Sequence, residues 1–357
     1  MDGTSVNTDT PIGSSSTPHF VARYVSRPTE ARPSAHGSVI CALPGGDLLA
    51  SWYGGSREYG LDVSIMGARL AGSPAAPGAA VTAAPGEPDG PARWQELGVW
   101  ADVPDHTMGN PVLFAEPGSG RLWLFYVVLY GPKWTAGRIH LRHSADGGAT
   151  WGPEQTFQEE LGHMTRNKLH VLPSGEWLLP LYDERDWSSY VARSADGGAT
   201  WQRSNALRAP CGIIQPSVVP TPDGRLLALM RTGGRGGLLW QSRSADGGRT
   251  WEAPSPTALP NPNSGTDAVA TPGGAIVLAF NNTPSGRAPL NVALSDDGGR
   301  TWPHCRAVET ANGEYSYPAI VRAADGLFHL TYTYRRTHIK HVAFNEAWLR
   351  AARGGAP

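Results

Sequence analysis

The chain of 357 residues has little charge, few cysteines and no long apolar stretch. Charged residues make up only 17%, with 30 Lys and Arg against 31 Asp and Glu, so no basic field is available to gather nucleic acid. The three scattered cysteines indicate neither a disulfide framework nor a metal site, and we predict no cofactor.

Membrane and export signals are equally scarce. No apolar run approaches the roughly 18 residues that cross a bilayer. The first residues have neither the basic start nor the apolar stretch of an export signal. We therefore expect a cytoplasmic protein without a nucleic-acid or membrane partner.

Glycine and proline, in contrast, are abundant. The chain has 44 Gly and 31 Pro, about a fifth of all residues. Both residues punctuate short strands and weaken long helices. The composition therefore predicts an all-β protein with many turns.

An octet of the form Ser-Ala-Asp-Gly-Gly-Ala-Thr-Trp occurs four times with small variations, at residues 144–151, 194–201, 244–251 and 295–302. Its tryptophans fall 50, 50 and 51 residues apart. A period near fifty is typical of a four-stranded propeller blade. In each octet we expect the Asp to bind backbone amides, the glycines to adopt positive φ and the Trp to fill the blade core. The octets are therefore predicted to be structural turns away from any chemistry.

A second landmark, an apolar strand followed by a glycine turn, recurs in phase with the octets. It occurs six times, at residues 39–45, 112–118, 169–175, 218–224, 269–273 and 320–326. We interpret these segments as the innermost strands of a six-bladed β-propeller over residues 19–350, with a disordered leader at 1–18 and a flexible tail at 351–357. The last blade lacks chain for a fourth strand, so residues 19–25 are predicted to pair beside 339–344 and close the ring.

In a ring of blades, the starts of the innermost strands meet in one funnel. Counting nine residues back from each turn glycine gives His36, Arg166, Gln215, Gly265 and Tyr317. These are mostly polar or aromatic residues, where a plain strand would prefer Val or Ile. Neighbouring polar clusters add Asn110, Lys168, Asn263, Asp267 and Tyr315. Polar groups that converge in one concavity predict a binding site.

The octets are the Asp-box motif, and residues 36–344 resemble the sialidase superfamily, in particular its Asp-box (BNR-repeat) sialidase-like or neuraminidase-like branch. Sialidases have a glutamate followed sixteen residues later by an arginine, and Gln215 and Arg231 have that spacing. A further family arginine precedes a strand that leads into an Asp box, which Arg287 resembles. The family nucleophile is a tyrosine that opens the last blade, the place of Tyr317.

The resemblance implies an exo-glycosidase acting on a carboxylated sugar or glycan, sialic-acid-like or a uronate. In the family, arginines clamp the sugar carboxylate, the tyrosine attacks the anomeric carbon and an acid on a loop protonates the leaving oxygen. By resemblance, Arg231 and Arg287 are the clamp, Tyr317 is the nucleophile, and Asp62 or Glu58 is the acid. Whether the propeller is a monomer or a homodimer stays open.

Two positions depart from the family pattern. His36 holds the place of the first clamp arginine, and Gln215 holds that of the glutamate that activates the tyrosine. Glutamine cannot take a proton, whereas histidine adds a group that titrates near neutral pH. The sequence thus leaves three functions open: a sialidase-type hydrolase, a lyase on uronic acids in which His36 and Tyr317 share acid-base duty, and a non-catalytic glycan-binding propeller.

Overall fold

A computed structural model describes residues 15–72, 94–233 and 237–351. Within them, strands form six antiparallel sheets, here blades I to VI. Blade I is β2–β5 (Ser34–Ala42, Leu48–Gly55, Ser64–Leu70, Gln95–Ala101), blade II is β6–β9 (Thr107–Ala115, Leu122–Leu129, Gly137–Ser144, Gln155–Gln158), and blade III is β10–β14 (His163–Thr165, His170–Val171, Trp177–Asp183, Ser188–Ser194, Gln202–Arg203). Blade IV is β15–β18 (Ile213–Pro220, Leu226–Thr232, Leu238–Ser244, Ser255–Pro260), blade V is β19–β22 (Asp267–Ala270, Ile276–Asn281, Leu290–Ser295, His304–Glu309), and blade VI is β23–β25 with β1 (Tyr315–Arg322, Phe328–Tyr334, His338–Phe344, Phe20–Ser26).

The blades stand radially around one axis. The innermost strand β2 contacts β6 and β23, and β19 contacts β15 and β23, which is the order of a closed ring. Apolar side chains fill the seams between blades; for example, Leu278 and Phe280 of blade V pack with Leu227 and Leu229 of blade IV. The predicted all-β six-bladed propeller is confirmed. No helix in the described part of the chain is long and apolar enough to cross a membrane.

The ring closes between the two ends of the fold. Strand β1 pairs antiparallel with β25, from Phe20 opposite Phe344 to Ser26 opposite Ile339, which confirms the predicted closure. The single α-helix of the described residues, α1 (Glu346–Arg350), follows directly. Most of the predicted leader and tail, residues 1–14 and 352–357, lie outside the described residues.

Asn345 fastens this junction. Its side-chain oxygen accepts hydrogen bonds from the backbone N–H of His19 (3.0 Å) and of Trp348 (2.9 Å), so one amide caps the helix and holds the entry to β1. The Trp348 ring stacks on Phe20 with centroids 4.6 Å apart. The junction therefore combines a polar cap with an aromatic contact.

The Asp boxes join the last two strands of blades II to V. In the first box the Asp146 carboxylate accepts from the backbone N–H (2.9 Å) and hydroxyl (2.6 Å) of Thr150. Gly147 and Gly148 have φ of 72° and 88°, as predicted. The hydrogen bonds from Thr150 lower the pKa of Asp146 to about 2, and those from Thr200 do the same for Asp196.

Four consecutive residues of blade III, Thr165–Lys168, here called the axial segment, bond to all five other blades. Thr165 Oγ1 donates to the Asn110 carbonyl in blade II (2.8 Å), and Arg166 donates to the carbonyls of Ser38 in blade I (3.1 Å) and Pro318 in blade VI (3.5 Å). Asn167 Nδ2 donates to the Gln215 carbonyl in blade IV (2.9 Å). Lys168 Nζ donates to both Asp267 oxygens in blade V (2.7 Å each). The segment thus ties the inner strands together on the axis.

Asp267 is the acceptor that completes this tie. Besides Lys168, its carboxylate accepts from the Ser217 hydroxyl in blade IV (2.7 Å) and from the Ile320 N–H in blade VI (2.9 Å). The residue is 2% exposed. Because a buried charge is costly unless paired and hydrogen-bonded, the Lys168–Asp267 pair is stable only as a unit.

The Asp boxes predict a specific acid sensitivity. A carboxyl group whose pKa is lower in the folded chain stabilises the fold above its unfolded pKa, and this contribution is lost as the pH falls from about 4 towards 2. Asp196→Asn is expected to lower the melting temperature at pH 7 and to flatten its fall between pH 4 and pH 2. Asp105→Asn, at an exposed turn outside the boxes, serves as the control; equal pH profiles of both variants would contradict the prediction.

The axial tie predicts a large stability effect. Asp267→Ala leaves Lys168 without its carboxylate and should cost about 3–5 kcal/mol of unfolding free energy, measured by urea denaturation. Asp62→Ala removes an exposed carboxylate instead and should cost less than about 1 kcal/mol. Similar losses in the two variants would mean that the axial bonds carry no special weight.

Candidate active site

The innermost strands of four blades have a β-bulge close to their first residues. The pairing of β2, β6, β15 and β23 with their neighbours skips at this point. The residues at the bulges have left-handed backbone; they are Gly37, Asn110, Gln215 and Tyr317, with φ of 62°, 47°, 58° and 52°. A bulge re-aims a side chain, and these bulges bring Asn110, Gln215 and Tyr317 to the axial funnel.

Blade I differs from the sequence prediction by one residue. Its turn has two adjacent glycines, and the left-handed one is Gly46 (φ 90°) rather than Gly45, so the residue nine positions earlier is Gly37. A Cβ on Gly37 would lie 2.4 Å from Cε1 of Tyr53, so glycine is required here for space as well as for backbone conformation. His36 therefore precedes the bulge position instead of occupying it.

The bulges open on a polar cavity of about 210 Å³. Three guanidinium groups and two carboxylates face it, from Arg231, Arg287, Arg336, Glu58 and Glu184. The other lining residues are Tyr59, Asn110, Trp134, Tyr182, Trp187, Gln215 and Tyr317. The cavity is smaller than the roughly 300–1,000 Å³ of drug-sized ligand sites, which favours a small ligand.

Tyr317 lies among arginines. Its hydroxyl accepts a hydrogen bond from Nη1 of Arg231 at 3.2 Å. The guanidinium carbons of Arg166, Arg287 and Arg231 lie 4.9, 5.3 and 6.0 Å from the centre of its ring. Burial opposes ionisation, but the charges of Arg231 and Arg287 outweigh it, and the pKa of Tyr317 falls below its usual value of 10. By contrast, burial raises the pKa of Tyr59, in the same lining, to about 12.

Arg231 is oriented by neutral groups. Its Nη1 also donates to Oε1 of Gln215 (3.2 Å), and its Nε donates to Oδ1 of Asn263 (2.7 Å). Gln215 in turn donates from Nε2 to the Tyr182 hydroxyl (3.3 Å). Within the described residues no carboxylate forms an ion pair with Arg231. Its charge is therefore available to an anionic ligand.

Arg287 and Arg336 are bridged by Glu314. Arg287 Nη1 lies 3.1 Å from Glu314 Oε1, Arg336 Nε lies 2.7 Å from Glu314 Oε2, and Arg336 Nη1 pairs with Glu58. Sequence reasoning missed Arg336. It follows Arg335 in the turn between β24 and β25, both residues have left-handed backbone, and two adjacent arginines give no signal of which one faces the cavity.

Glu184 is the second residue that sequence reasoning missed. It lies between β12 and β13, and both Glu184 and Trp187 line the cavity. Burial raises the pKa of Glu184 above its usual value, although the charge of Arg231 opposes the shift. In the sequence it belongs to the acidic turn Asp-Glu-Arg-Asp, a pattern typical of a solvated connection.

His36 is enclosed behind Tyr317. Its ring packs edge-on against Tyr317 and Tyr53, with centroids 4.7 and 5.5 Å apart. Among the described residues neither ring nitrogen has a hydrogen-bond partner. Burial and the surrounding arginine charges hold the pKa of His36 well below its usual value. Because the ring is buried among cations, the structure does not favour the expectation that His36 titrates near neutral pH.

Of the two predicted acids, only Glu58 lines the cavity. Asp62 is exposed, and its carboxylate accepts from the N–H and the hydroxyl of Ser56, both at 2.8 Å. Asp62 thus closes the loop that presents Glu58. Its carboxylate is occupied within its own turn, so the structure does not support Asp62 as the acid.

Other predicted ligand contacts lie behind the lining. Asn263 braces Arg231, and Tyr315 is fully buried against the Tyr334 ring (5.3 Å). The bulge at Tyr317 breaks the strand alternation, so residues 315 and 317 face different surroundings. Three more predicted contacts belong to the axial tie: Arg166, Lys168 and Asp267. Within the described residues no group of three or more His, Cys, Asp or Glu could hold a metal ion.

Solved structures with this architecture include several sialidases. A Hadza microbial sialidase, Hz136, is 18% identical with a TM-score of 0.70, and the match covers 87% of this chain and 65% of that one. An intramolecular trans-sialidase from Ruminococcus gnavus is 16% identical (TM-score 0.72; 92% and 98% covered), and the NanB sialidase from Streptococcus pneumoniae is 12% identical (TM-score 0.73; 92% and 71% covered). At sequence identities this low, the structural similarity shows a shared fold and nothing more.

A comparison with curated proteins found no significant match. The profile of the BNR repeat-like domain family, however, matches residues 46–330, most of the chain. The six blades and the structural matches show that the chain shares the propeller fold of these sialidases. The chain belongs to the BNR repeat-like domain family.

Proposed function

We propose that the chain is a sialidase-type exo-glycosidase that acts on a carboxylated sugar, sialic-acid-like or a uronate. The observation that carries this proposal is the arrangement of Arg231, Arg287 and Arg336 around Tyr317 in one small cavity. Arginine binds carboxylates through its planar fork of N–H donors. A carboxylated sugar ring supplies both the anion that these arginines attract and an electrophilic carbon for the tyrosine.

Arg231 is the principal anchor of the substrate carboxylate. Its amide acceptors Asn263 and Gln215 are uncharged, so a bound carboxylate would be the first carboxylate to pair with it. Arg287 and Arg336 are already bridged by Glu314, which fixes their orientation and leaves them to support the same anion. Such preorganised charge costs little reorganisation when the substrate binds.

The arginine charges favour ionisation of Tyr317, the role that a glutamate at position 215 has in the family. Gln215 cannot accept the phenolic proton, but the lowered pKa of Tyr317 raises the fraction of phenolate at a given pH. The phenolate oxygen then forms a bond to the anomeric carbon while the glycosidic C–O bond breaks and its oxygen receives a proton from a cavity acid. Water next attacks the same carbon, returns a proton to that acid and releases the tyrosine.

The burial of His36 weighs against the alternative of a uronic-acid lyase. A lyase of that kind needs His36 to exchange a proton with the substrate, yet its ring lies behind Tyr317 and is absent from the cavity lining. A lyase would generate a new ultraviolet-absorbing double bond. A glycan-binding propeller would bind the sugar without any product.

Replacement of the nucleophile gives a direct test. Tyr317→Phe should lower kcat by about a thousandfold or more on the 4-methylumbelliferyl glycosides of N-acetylneuraminic acid or glucuronic acid, because the attacking oxygen is removed. Tyr315→Phe, two residues away in the core, is the matched control and should keep most of the activity. Fluorescent product is measured after both variants have shown wild-type melting curves.

Two results would reject the proposal. Full turnover by Tyr317→Phe removes the nucleophile. A wild-type chain that releases no product but binds the free acidic sugar in calorimetry is a binding module.

Restoring the family base gives a second test. Gln215→Glu places a carboxylate within reach of Arg231, beside the Tyr317 hydroxyl, and should raise kcat at neutral pH by about tenfold or more. Asn263→Asp is the control, since it also gives Arg231 a carboxylate but at Nε, away from the tyrosine. A fall of kcat in both variants would mean that a free Arg231 charge matters more than a base.

A further inference from the structure

Blade III presents a carboxylate, Glu184, to the cavity without an ion-pair partner among the described residues. In the turn Asp183–Asp186, Arg185 holds Asp183 through contacts of 2.7–3.1 Å, and Arg208 pairs with Asp186 at 2.6 Å. Within the described residues Glu184 forms no ion pair, although it faces the cavity. The two outer carboxylates thus brace the turn, and the middle one is left for the cavity.

The backbone holds Glu184 firmly. Its N–H donates to the carbonyl of Gly162 (2.9 Å), and the carbonyl of Trp187 accepts from the N–H of Ile213 (2.8 Å). Trp187 packs against Gly212, where an added Cβ would come within 2.8 Å of the Trp187 Cβ. The turn is therefore fixed both from its own blade and from blade IV, and such fixation is what a proton-transfer group requires.

Glu184 and Tyr317 belong to opposite blades. In a ring of six, blade III lies across the axis from blade VI, which carries Tyr317, whereas Glu58 belongs to the adjoining blade I and pairs with Arg336. In a displacement at the anomeric carbon, the leaving oxygen departs on the side away from the nucleophile. Glu184 lines the cavity from the blade opposite the tyrosine and is not held by a cation, whereas Glu58 is held by Arg336.

The surroundings of Glu184 favour its protonated form. Burial raises its pKa and Asp183 on the same chain segment adds to the shift, which outweighs the opposing effects of the Arg231 charge and of the Trp187 side chain. Tyr59 from blade I and Tyr182 are the other titratable groups that sense its charge. An acid with a raised pKa keeps its proton closer to neutral pH, as a general acid must.

We infer that Glu184 is the proton donor to the leaving group, an inference that rests on the proposed glycosidase function. As the Tyr317 oxygen bonds to the anomeric carbon, the Glu184 O–H breaks and its proton passes to the departing glycosidic oxygen. The resulting Glu184 carboxylate then takes a proton from the water that attacks that carbon, while the tyrosine–carbon bond breaks. Glu58 holds Arg336 in position and transfers no proton.

The test compares a poor leaving group with a good one. Glu184→Gln and its matched control Glu58→Gln are assayed on 3′-sialyllactose or a glucuronic-acid disaccharide, whose leaving oxygens need a proton, and on the corresponding 4-methylumbelliferyl glycoside, whose leaving oxygen needs little help. For Glu184→Gln we expect kcat/KM to fall by about 10²–10⁴-fold on the disaccharide but less than about tenfold on the aryl glycoside. The alkaline limb of the pH profile should also disappear.

Glu58→Gln should lower both rates by a similar factor, because it loosens Arg336 without removing a proton donor. Equal losses on the two substrates for Glu184→Gln, or a leaving-group-selective loss for Glu58→Gln, would overturn the inference while the proposed function stands. A wild-type chain inactive on all these substrates would overturn the proposed function, and this inference with it.

Discussion

Six sheets that meet at one axis bury polar groups at the ends of their inner strands, and buried polar groups need hydrogen-bond partners. The axial segment Thr165–Lys168 provides them, since its side chains bond to all five other blades. The interruption of the inner strand of blade III into β10 and β11 makes this possible, because residues between them are released from strand pairing. The inner strand of blade III is therefore less regularly paired, and the axial segment connects all the other blades.

The axial segment also holds the cavity residues in place. Arg166 reaches the carbonyls of blades I and VI and places its guanidinium 4.9 Å from the ring centre of Tyr317, so a residue of the tie also contributes to the field at the phenol. Left-handed backbone at Gln215 and Tyr317 is tolerated because the surrounding sheets over-determine it. The cationic cluster is therefore preorganised, and its repulsion is offset by Glu314 and by the neutral acceptors around Arg231.

Features that repeat were predictable from the sequence, and features that break the repeat were not. The Asp boxes and glycine turns carry the period, so six blades, ring closure and the axial position of Tyr317 follow from it, whereas the position of Arg231 beside it was implied by the family resemblance. The predicted register of blade I differs from the structure by one residue, because the sequence does not show which of two adjacent glycines makes the turn. Arg336 and Glu184 escaped notice because hairpin turns at the cavity mouth have no period. Lys168 was predicted to contact a ligand but pairs with Asp267, since a buried ion pair and a binding site use the same residue types.

Ring closure has a consequence for biosynthesis. Phe20 pairs with Phe344, so β1 leaves the ribosome well before β25 exists; at about 5–20 residues per second, the wait is on the order of 20–60 s. Throughout that interval β1 has no β25 to pair with, although edge-exposed strands are templates for unwanted association. The nascent chain thus has a window in which a chaperone is most useful. The cavity itself can form only when the last blade, which carries Tyr317, has been made.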